Sequence, residues 1–295
     1  MPLLLADAQR LTNDVLVQGI TETLVVESVV LQQLPFMELN GSALTYNQEA
    51  TMSGSNWYAP ADTWNEQAVT VTQKQAVLKI LGGDVDVDNF LAQTFRNPSD
   101  LSAEAISKKM KSVAYSFNDA FFNGSGAGNQ PAGLKNLVAA GQTRSLGVNG
   151  AAPTLDDFDA LIDMVKPGKP DVIYMSKRTR RGLKKLRRAN GNGFFETDLN
   201  AWGQRVEYYD GIPIAVDDNI SDAESVGSSV NCSRVYAVQF GYQRGVMGLT
   251  NGMIQVEEIG RLESKDATRT RIKWYVGLLN FRDSALACMT GVLPN

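Results

Sequence analysis

Residues 102–122 constrain the fold of this chain more than any other stretch. Ile106, Met110, Val113, Phe117 and Phe121 recur at spacings of four, three, four and four. That rhythm draws a continuous apolar stripe down one side of an α-helix, which other elements must cover. The spacing predicts a helix over 102–122, roughly 30 Å long at about 1.5 Å per residue. Ser102 is placed to cap its first turn, and Glu104 suits the positive end of the macrodipole. Asn123-Gly124 is the kind of pair that stops a helix.

Directly after the stripe comes "FFNGSGAGNQPAGL" at 121–134, with four glycines and a proline. A dinucleotide fingerprint needs G-x-G-x-x-G after a strand and opening a helix. Gly124 and Gly126 fit, but Asn129 holds the third glycine position and a helix precedes the loop. A phosphate loop needs a lysine after its last glycine, where Leu134 stands. Both contexts fail. The loop reads as a corner in which glycine supplies positive φ between two elements.

Bulk properties narrow the chemistry. The chain has 295 residues, 43% hydrophobic and 20% charged, with a net charge of −4. It contains no histidine, which excludes Ser-His-Asp and Cys-His catalysis and histidine metal sites. Cys232 and Cys288 lie far apart without zinc spacing, and read as small buried hydrophobes. "TLVVESVVL" is cut by Glu27, so no run approaches the ~18 apolar residues of a membrane span. "MPLLLADAQR" lacks the basic start and apolar core of a secretory signal. A soluble intracellular protein is expected, with no cofactor, no metal and no catalytic residues.

Along the chain, Leu11, Val15, Ile20 and Leu24 have helical spacing, while "VVESVVL" from Val25 suits helix or extended chain equally. "LPF" at 34–36 ends that segment, because a residue before proline avoids the helical region. "AVTVTQKQAVLKI" alternates β-branched and polar residues, as a ribbon strand does. With the strand-like stretch from residue 40 it brackets a turn-rich tip, "MSGSNWYAPAD", making a protruding hairpin. Trp57, Tyr58 and Trp64 are bulky groups for such a solvated tip.

"GGDVDVDNF" at 82–90 places carboxylates at alternate positions. A calcium loop counted from Asp84 would need Gly at the sixth place and Glu at the twelfth, where Asn89 and Phe95 stand. The expectation is a strand with Val85 and Val87 inward and Asp84, Asp86 and Asp88 in water. A carboxylate-dependent enzyme built on this strand is the one catalytic alternative.

From residue 151 the pattern becomes α/β. Thr154 and Asp157 form a capping box for "LDDFDALIDMVK", whose Phe158, Leu161, Ile162 and Val165 share a face. "DVIYM", "GIPIAV", "RVYAVQF", "TRTRIKWYVGLLNF" and "ALACMTGV" read as strands. "RGVMGLTNGMIQVEEI" reads as a hairpin turning on Asn251-Gly252 in type I′ geometry. A second helix, 177–189, carries eight basic residues and no acid, Arg180, Arg181, Lys184 and Lys185 among them.

The order of these pieces resembles the major capsid proteins of tailed bacteriophages, the fold shared with encapsulins. The carriers are the long helix ending in "NG-x-G-x-G-x-x-P-x-G-L", the hairpin with "TYNQE…W", and "LGGDVDVD" before that helix. They continue through "DVIYMSKRTRRGLKKL", "YDGIPIAVDDNI", "VYAVQFGYQRGVMGLTNGMIQVEE" and "RIKWYVGLLNFRDSALACMTGV". The resemblance covers nearly the whole chain, through organisation more than through invariant motifs. It implies an α+β capsid fold with an N-terminal arm over 1–36 and an extended E-loop over 37–82. A P-domain with the spine helix follows over 83–140, completed by about 245–280. An A-domain follows over 141–244, completed by about 281–295.

The implied function is structural: subunits self-assemble as hexamers and pentamers into an icosahedral shell around double-stranded DNA. An encapsulin shell around a cargo enzyme is the alternative. The implied partners are further copies and a portal; nothing before the arm resembles a scaffolding segment, so either a separate scaffolding protein exists or none is needed, and a decoration protein is a further option. The implied location is the virion, assembled in the host cytoplasm. Lys74 and Lys79 fall in the E-loop, but nothing identifies a cross-linking acceptor. Trp57, Tyr58, Trp64, Arg180, Arg181, Lys184 and Lys185 are the candidate subunit contacts. Setting the basic helix aside leaves 20 basic against 32 acidic residues, a balance of −12. That excess makes contact with an acidic neighbouring subunit the favoured use of the helix. Display to solvent and contact with DNA phosphates are the alternatives.

Overall fold

A computed structural model describes residues 28–51, 56–60, 62–64, 70–94, 98–189, 196–199 and 205–294. The expectations for Leu11, Val15, Ile20 and Leu24, and those for 52–55 in the hairpin tip, lie outside these residues. The strands are β1 (Phe36–Glu38), β2 (Ala43–Thr51), β3 (Thr70–Val77), β4 (Lys79–Asp88) and β5 (Thr143–Ser145). They continue as β6 (Val172–Met175), β7 (Glu196–Leu199), β8 (Arg205–Tyr209), β9 (Ile212–Val216) and β10 (Glu224–Val226). The last are β11 (Ser229–Val238), β12 (Val246–Thr250), β13 (Gln255–Arg261), β14 (Ala267–Asn280) and β15 (Leu286–Val292).

The long helix is present as Pro98–Asn123, 26 residues or about 39 Å. It starts four residues before Ser102, so Ser102 lies inside it and does not cap it. Proline tolerates the first turn because its missing N–H would have no partner there. The expected stripe is the buried one: Ile106, Met110, Val113, Phe117 and Phe121 are all buried. Each such side chain contributes about 1.5–3 kcal/mol by leaving water. Their cover includes Trp274, whose ring lies 5.1 Å from that of Phe117. Phe36 fills the same corner, 6.1 Å from Phe117 and 5.6 Å from Trp274.

Two sheets flank this helix. A five-stranded sheet runs β1-β12-β14-β13, with β4 also on β14. An eight-stranded sheet runs β5-β15-β11-β6-β9-β8-β7, with β10 on β11. One face of the larger sheet, through Tyr174 and Tyr236, meets Phe122 of the long helix. The opposite face, through Ile173, Met175, Val235 and Ala237, is covered by Phe158, Leu161 and Leu183. Those three come from the helices Leu155–Asp163 and Lys177–Ala189. The capping box is present: Asp157 N–H donates to Thr154 Oγ1, and Thr154 N–H donates to Asp157 Oδ2.

Three local expectations are corrected by tertiary pairing. "RGVMGLTNGMIQVEEI" is not a hairpin. Val276 pairs with both Thr250 and Lys79, and Lys273 with both Gln255 and Gly82. β12 and β13 therefore run end to end along one edge of β14, with β4 on the other. Among described non-glycine residues only Asp210 and Gln243 have positive φ, so Asn251 lacks the geometry of a type I′ turn. The alternating stretch before residue 80 is two strands rather than one, divided at Leu78, whose N–H donates to Ser42 O.

The carboxylates of β4 are not simply in water. Asp84 accepts from Arg271 at 2.7 and 2.9 Å, and Asp86 from Arg269 at 2.6 and 2.8 Å. Lys265 adds a 2.5 Å contact to Asp86. The strand periodicity is correct, but the neighbouring strand supplies a cation opposite Asp84 and Asp86, while Asp88, opposite Ala267, stays exposed as expected.

The segment before Pro35 is a short helix, Val29–Gln33, capped by Ser28. Buried Ser28 donates to Asn118 Oδ1 of the long helix at 2.5 Å, and Tyr174 OH donates to Gln33 Oε1 at 2.8 Å. The root of the expected arm is thus wedged between the long helix and the eight-stranded sheet.

Candidate assembly surfaces

The hairpin β2–β3 pairs from Ala43–Val77 to Thr51–Thr70, and its root is tied to the end of β14. Tyr46 OH donates to Asn280 O at 2.9 Å, and the Tyr46 ring meets Phe281 edge-on. Lys74 Nζ pairs with Asp283 at 2.9 Å. Burial is the main reason the Tyr46 hydroxyl holds its proton more firmly than a free tyrosine, with Asp283 adding to it. Lys79 Nζ donates to Gly128 O at 2.7 Å, joining the hairpin root to the glycine corner.

At the far end, Trp57 is fully exposed and Trp64 is 79% exposed. Tyr58 stacks on Trp64 with centroids 4.4 Å apart and planes 26° apart. A turn holds the two rings together: Ala59 N–H donates to Asp62 Oδ2 at 2.6 Å, and Asp62 N–H to Ala59 O at 3.1 Å. Aromatic area of this size in water is uncommon unless a partner covers it.

The glycine corner spends its N–H groups on itself. Gly124 donates to Ala120 O, Gly126 to Pro131 O and Gly133 to Gly124 O. Gly126 and Gly128 have φ of 70° and 60°. This is the turn that the failed nucleotide fingerprints left.

The basic helix divides its cations. Ser176 accepts from Thr179 N–H at the helix start and donates to Asp222 at 2.6 Å. Lys177 pairs with Asp218 at 2.6 Å, and Arg178 reaches Asp222 and the carbonyl of Asn231. Lys184 is bound to Glu207, and Arg187 lies over the Tyr209 ring at 5.7 Å. Arg180 is half-buried, its Nε without a hydrogen-bond partner among the described residues. Arg181, Lys185 and Arg188 are exposed, and their spacing of four and three puts them on one outward stripe. Of the four cations expected to act together, only Arg181 and Lys185 share that surface. Arg188 joins them, a residue the sequence reading left out although its i, i+3 spacing from Lys185 was legible.

Beside this helix lies a cleft of about 430 Å³ bearing Asp159, Asp163 and Asp210, with Arg187 and Tyr209 in its wall. Tyr209 OH donates to Asp159 Oδ1 at 2.7 Å. Burial, then that bond, pushes the Tyr209 hydroxyl well above the usual range. Asp156, Asp159 and Asp163 are all exposed on Leu155–Asp163. Sequence reasoning passed over them, since the apolar face of that helix carried the whole signal.

The paired Asp84 and Asp86 are weak proton acceptors, because hydrogen bonds from Arg271 and Arg269 hold both below the usual carboxylate range. Among the described residues no three His, Cys, Asp or Glu side chains come together as a metal site. Both cysteines are buried and free, and burial pushes the Cys288 thiol up to about 12. No helix among the described residues is long and apolar enough to cross a membrane.

Solved structures share this architecture. The holo-SrpI encapsulin complex from Synechococcus elongatus superposes with a TM-score of 0.72 and 21% identity, over 93% of this chain and 89% of that one. The capsid of a native GTA particle gives 0.66 and 14%, over 90% and 91%. A chain from Mycobacterium phage Bobi gives 0.62 and 16%, over 89% of each. These likenesses bear out the expected α+β capsid fold. No curated protein sequence matches the chain. A model of the phage capsid family matches residues 10–291. With nearly its whole length so matched, the chain belongs to the phage capsid family, as a shell protein with the fold of capsids and encapsulins.

Proposed function

We propose that this protein is the major capsid subunit of a tailed phage, closing into an icosahedral shell around double-stranded DNA. The family match over 10–291 carries the reading. The hairpin supports it, being anchored at its root and bare at its aromatic tip, as a reach over a neighbouring subunit requires. On this reading 37–82 is the E-loop, the five-stranded sheet and long helix belong to the P-domain, and the eight-stranded sheet belongs to the A-domain. Copies meet as hexamers and pentamers, with a portal and a separate scaffolding or decoration protein as further partners. DNA is enclosed without sequence-specific contact, and the mature location is the virion, after assembly in the host cytoplasm.

The likeness to the encapsulin of Synechococcus elongatus favours a second reading, a nanocompartment around a cargo enzyme. The contents of purified particles separate the two. Nuclease-protected double-stranded DNA of genome length is expected. A stoichiometric protein cargo without DNA would replace the phage reading with the second.

A further inference from the structure

The two helices on the outer face of the eight-stranded sheet carry opposite charge that the subunit does not use up. On Lys177–Ala189, among the described residues Arg181 and Lys185 are exposed and make no ion pair, and Arg188 bonds only to the Lys184 carbonyl of its own helix. On Leu155–Asp163, Asp156 and Asp163 are exposed and unpaired among the described residues. Each stripe spans eight residues of helix, seven rises or about 10 Å. Local physics gives Asp163 no reason to be there. It ends its helix, where the negative pole of the macrodipole disfavours a carboxylate, and no base occupies that last turn.

The cleft beside the acidic stripe strengthens the asymmetry. It gathers Asp159, Asp163 and Asp210; Lys169 pairs with Asp210 at 2.6 Å and Arg187 rests on the Tyr209 ring, which leaves Asp163 without an ion pair among the described residues. The subunit's own stripe faces away from it. At about 100° per residue, Arg181, Lys185 and Arg188 lie roughly 100–160° around the helix axis from Arg187. One copy therefore presents donor and acceptor in different directions, the arrangement of a head-to-tail contact, which forms a ring where the rotation between copies closes.

Resting on the shell reading above, we infer that the Arg181–Lys185–Arg188 stripe of one subunit docks on the Asp156–Asp159–Asp163 stripe and acidic cleft of the next. The occupant is a second copy of this chain. Opposed charge of this kind sets register and speeds encounter, and it weakens with salt because exposed charges are screened over about 10 Å at 0.1 M.

Charge exchange tests it with the full-length chain. Arg181→Glu with Lys185→Glu should cut shell yield by about tenfold or more in electron microscopy and sedimentation. Asp156→Lys with Asp163→Lys should do the same. Combining all four should restore yield to within roughly threefold, since the pairing is rebuilt with its signs reversed. Circular dichroism and thermal unfolding of each variant should match the parent. If the glutamate pair perturbs folding, Arg181→Gln with Lys185→Gln removes the charge more gently, and a slower, salt-insensitive assembly is expected. Normal shells from either pair, or failure of the fourfold variant to recover, would overturn the pairing while leaving the shell reading in place. Normal shells that lose DNA from the glutamate pair alone would overturn it in favour of a nucleic-acid contact. A parent chain that stays monomeric at every concentration would overturn both.

Discussion

Gly124 sits where the long helix turns into the glycine corner, and it has no room for a side chain. A methyl on its α-carbon would lie 2.3 Å from Pro131 O and 2.4 Å from Ala120 O, both backbone atoms. Neither can yield without opening the corner, which also carries the Lys79 contact from the hairpin root. Gly124→Ala should therefore destabilise the unassembled subunit by about 1–3 kcal/mol in urea unfolding. Gly141 is the control. Nothing lies within 4 Å of its added methyl and its φ is not positive, so Gly141→Ala should stay within about 0.5 kcal/mol. Equal effects from the two would mean that the corner is soft and the contact distances irrelevant.

At the scale of elements, the pairing of β4 with β14 is the place where the sheet spends its charge. Arg271 faces Asp84 and Arg269 faces Asp86 in the ladder register, and the outward guanidinium–carboxylate pairs stiffen an edge whose other face packs on the long helix. The hydrogen bonds from arginine lower both carboxyls from their unfolded values. A lowered folded value means that the contribution is complete above the unfolded value of about 3.9 and is lost as pH falls through the folded one. Asp84→Asn with Asp86→Asn removes it at every pH. The gap in melting temperature between parent and variant should thus be full at pH 7 and pH 5 and should narrow towards about pH 2. Thermal unfolding of the unassembled subunit measures it, and a gap constant down to that acidity would separate the ladder from the pH response.

For the whole molecule, the hairpin is anchored at its root and exposed at its aromatic tip, the part that the proposed shell would cover with a neighbouring subunit. The root packs in a small cluster of its own, Ala76 with Met247, Leu249 and Leu279, backed by Leu44 and Tyr46. At the tip Tyr58 stacks on Trp64, and Trp57 and Trp64 stand exposed. Trp57→Ala with Trp64→Ala should leave circular dichroism and thermal unfolding of the free subunit nearly unchanged. Shell yield should collapse, because a buried aromatic anchor is worth about 2 kcal/mol or more and a shell repeats the loss at every copy. Unfolding of the free variant would place the tryptophans in a core. Normal shells from a folded variant would deny the tip any part in assembly.

The amino-acid order by itself determined what depends on neighbours a turn away. The stripe from Ile106 to Phe121, the capping box at Thr154 and Asp157, the basic helix from Lys177 and the buried strand at Val172–Met175 follow from local periodicity and caps. The glycine corner was legible for the same reason, since fingerprints that fail by one residue fail locally. Tertiary structure decided everything that depends on what lies across a strand or a helix. The pattern around Asn251 is that of a hairpin, yet β14 offers a longer edge, and ladder bonds along it outweigh a tight turn. Asp84 and Asp86 alternate as solvent-facing residues do, and only the register with β14 brings Arg271 and Arg269 against them. The same holds for the basic helix. Eight cations within twelve residues look alike in the sequence, and it takes Asp218, Asp222, Glu207 and Tyr209, all more than twenty residues downstream, to occupy four and leave Arg181 and Lys185 outward. Coulomb attraction acts between groups brought close in space, and closeness across the fold is settled by the burial of apolar faces, not by position along the chain.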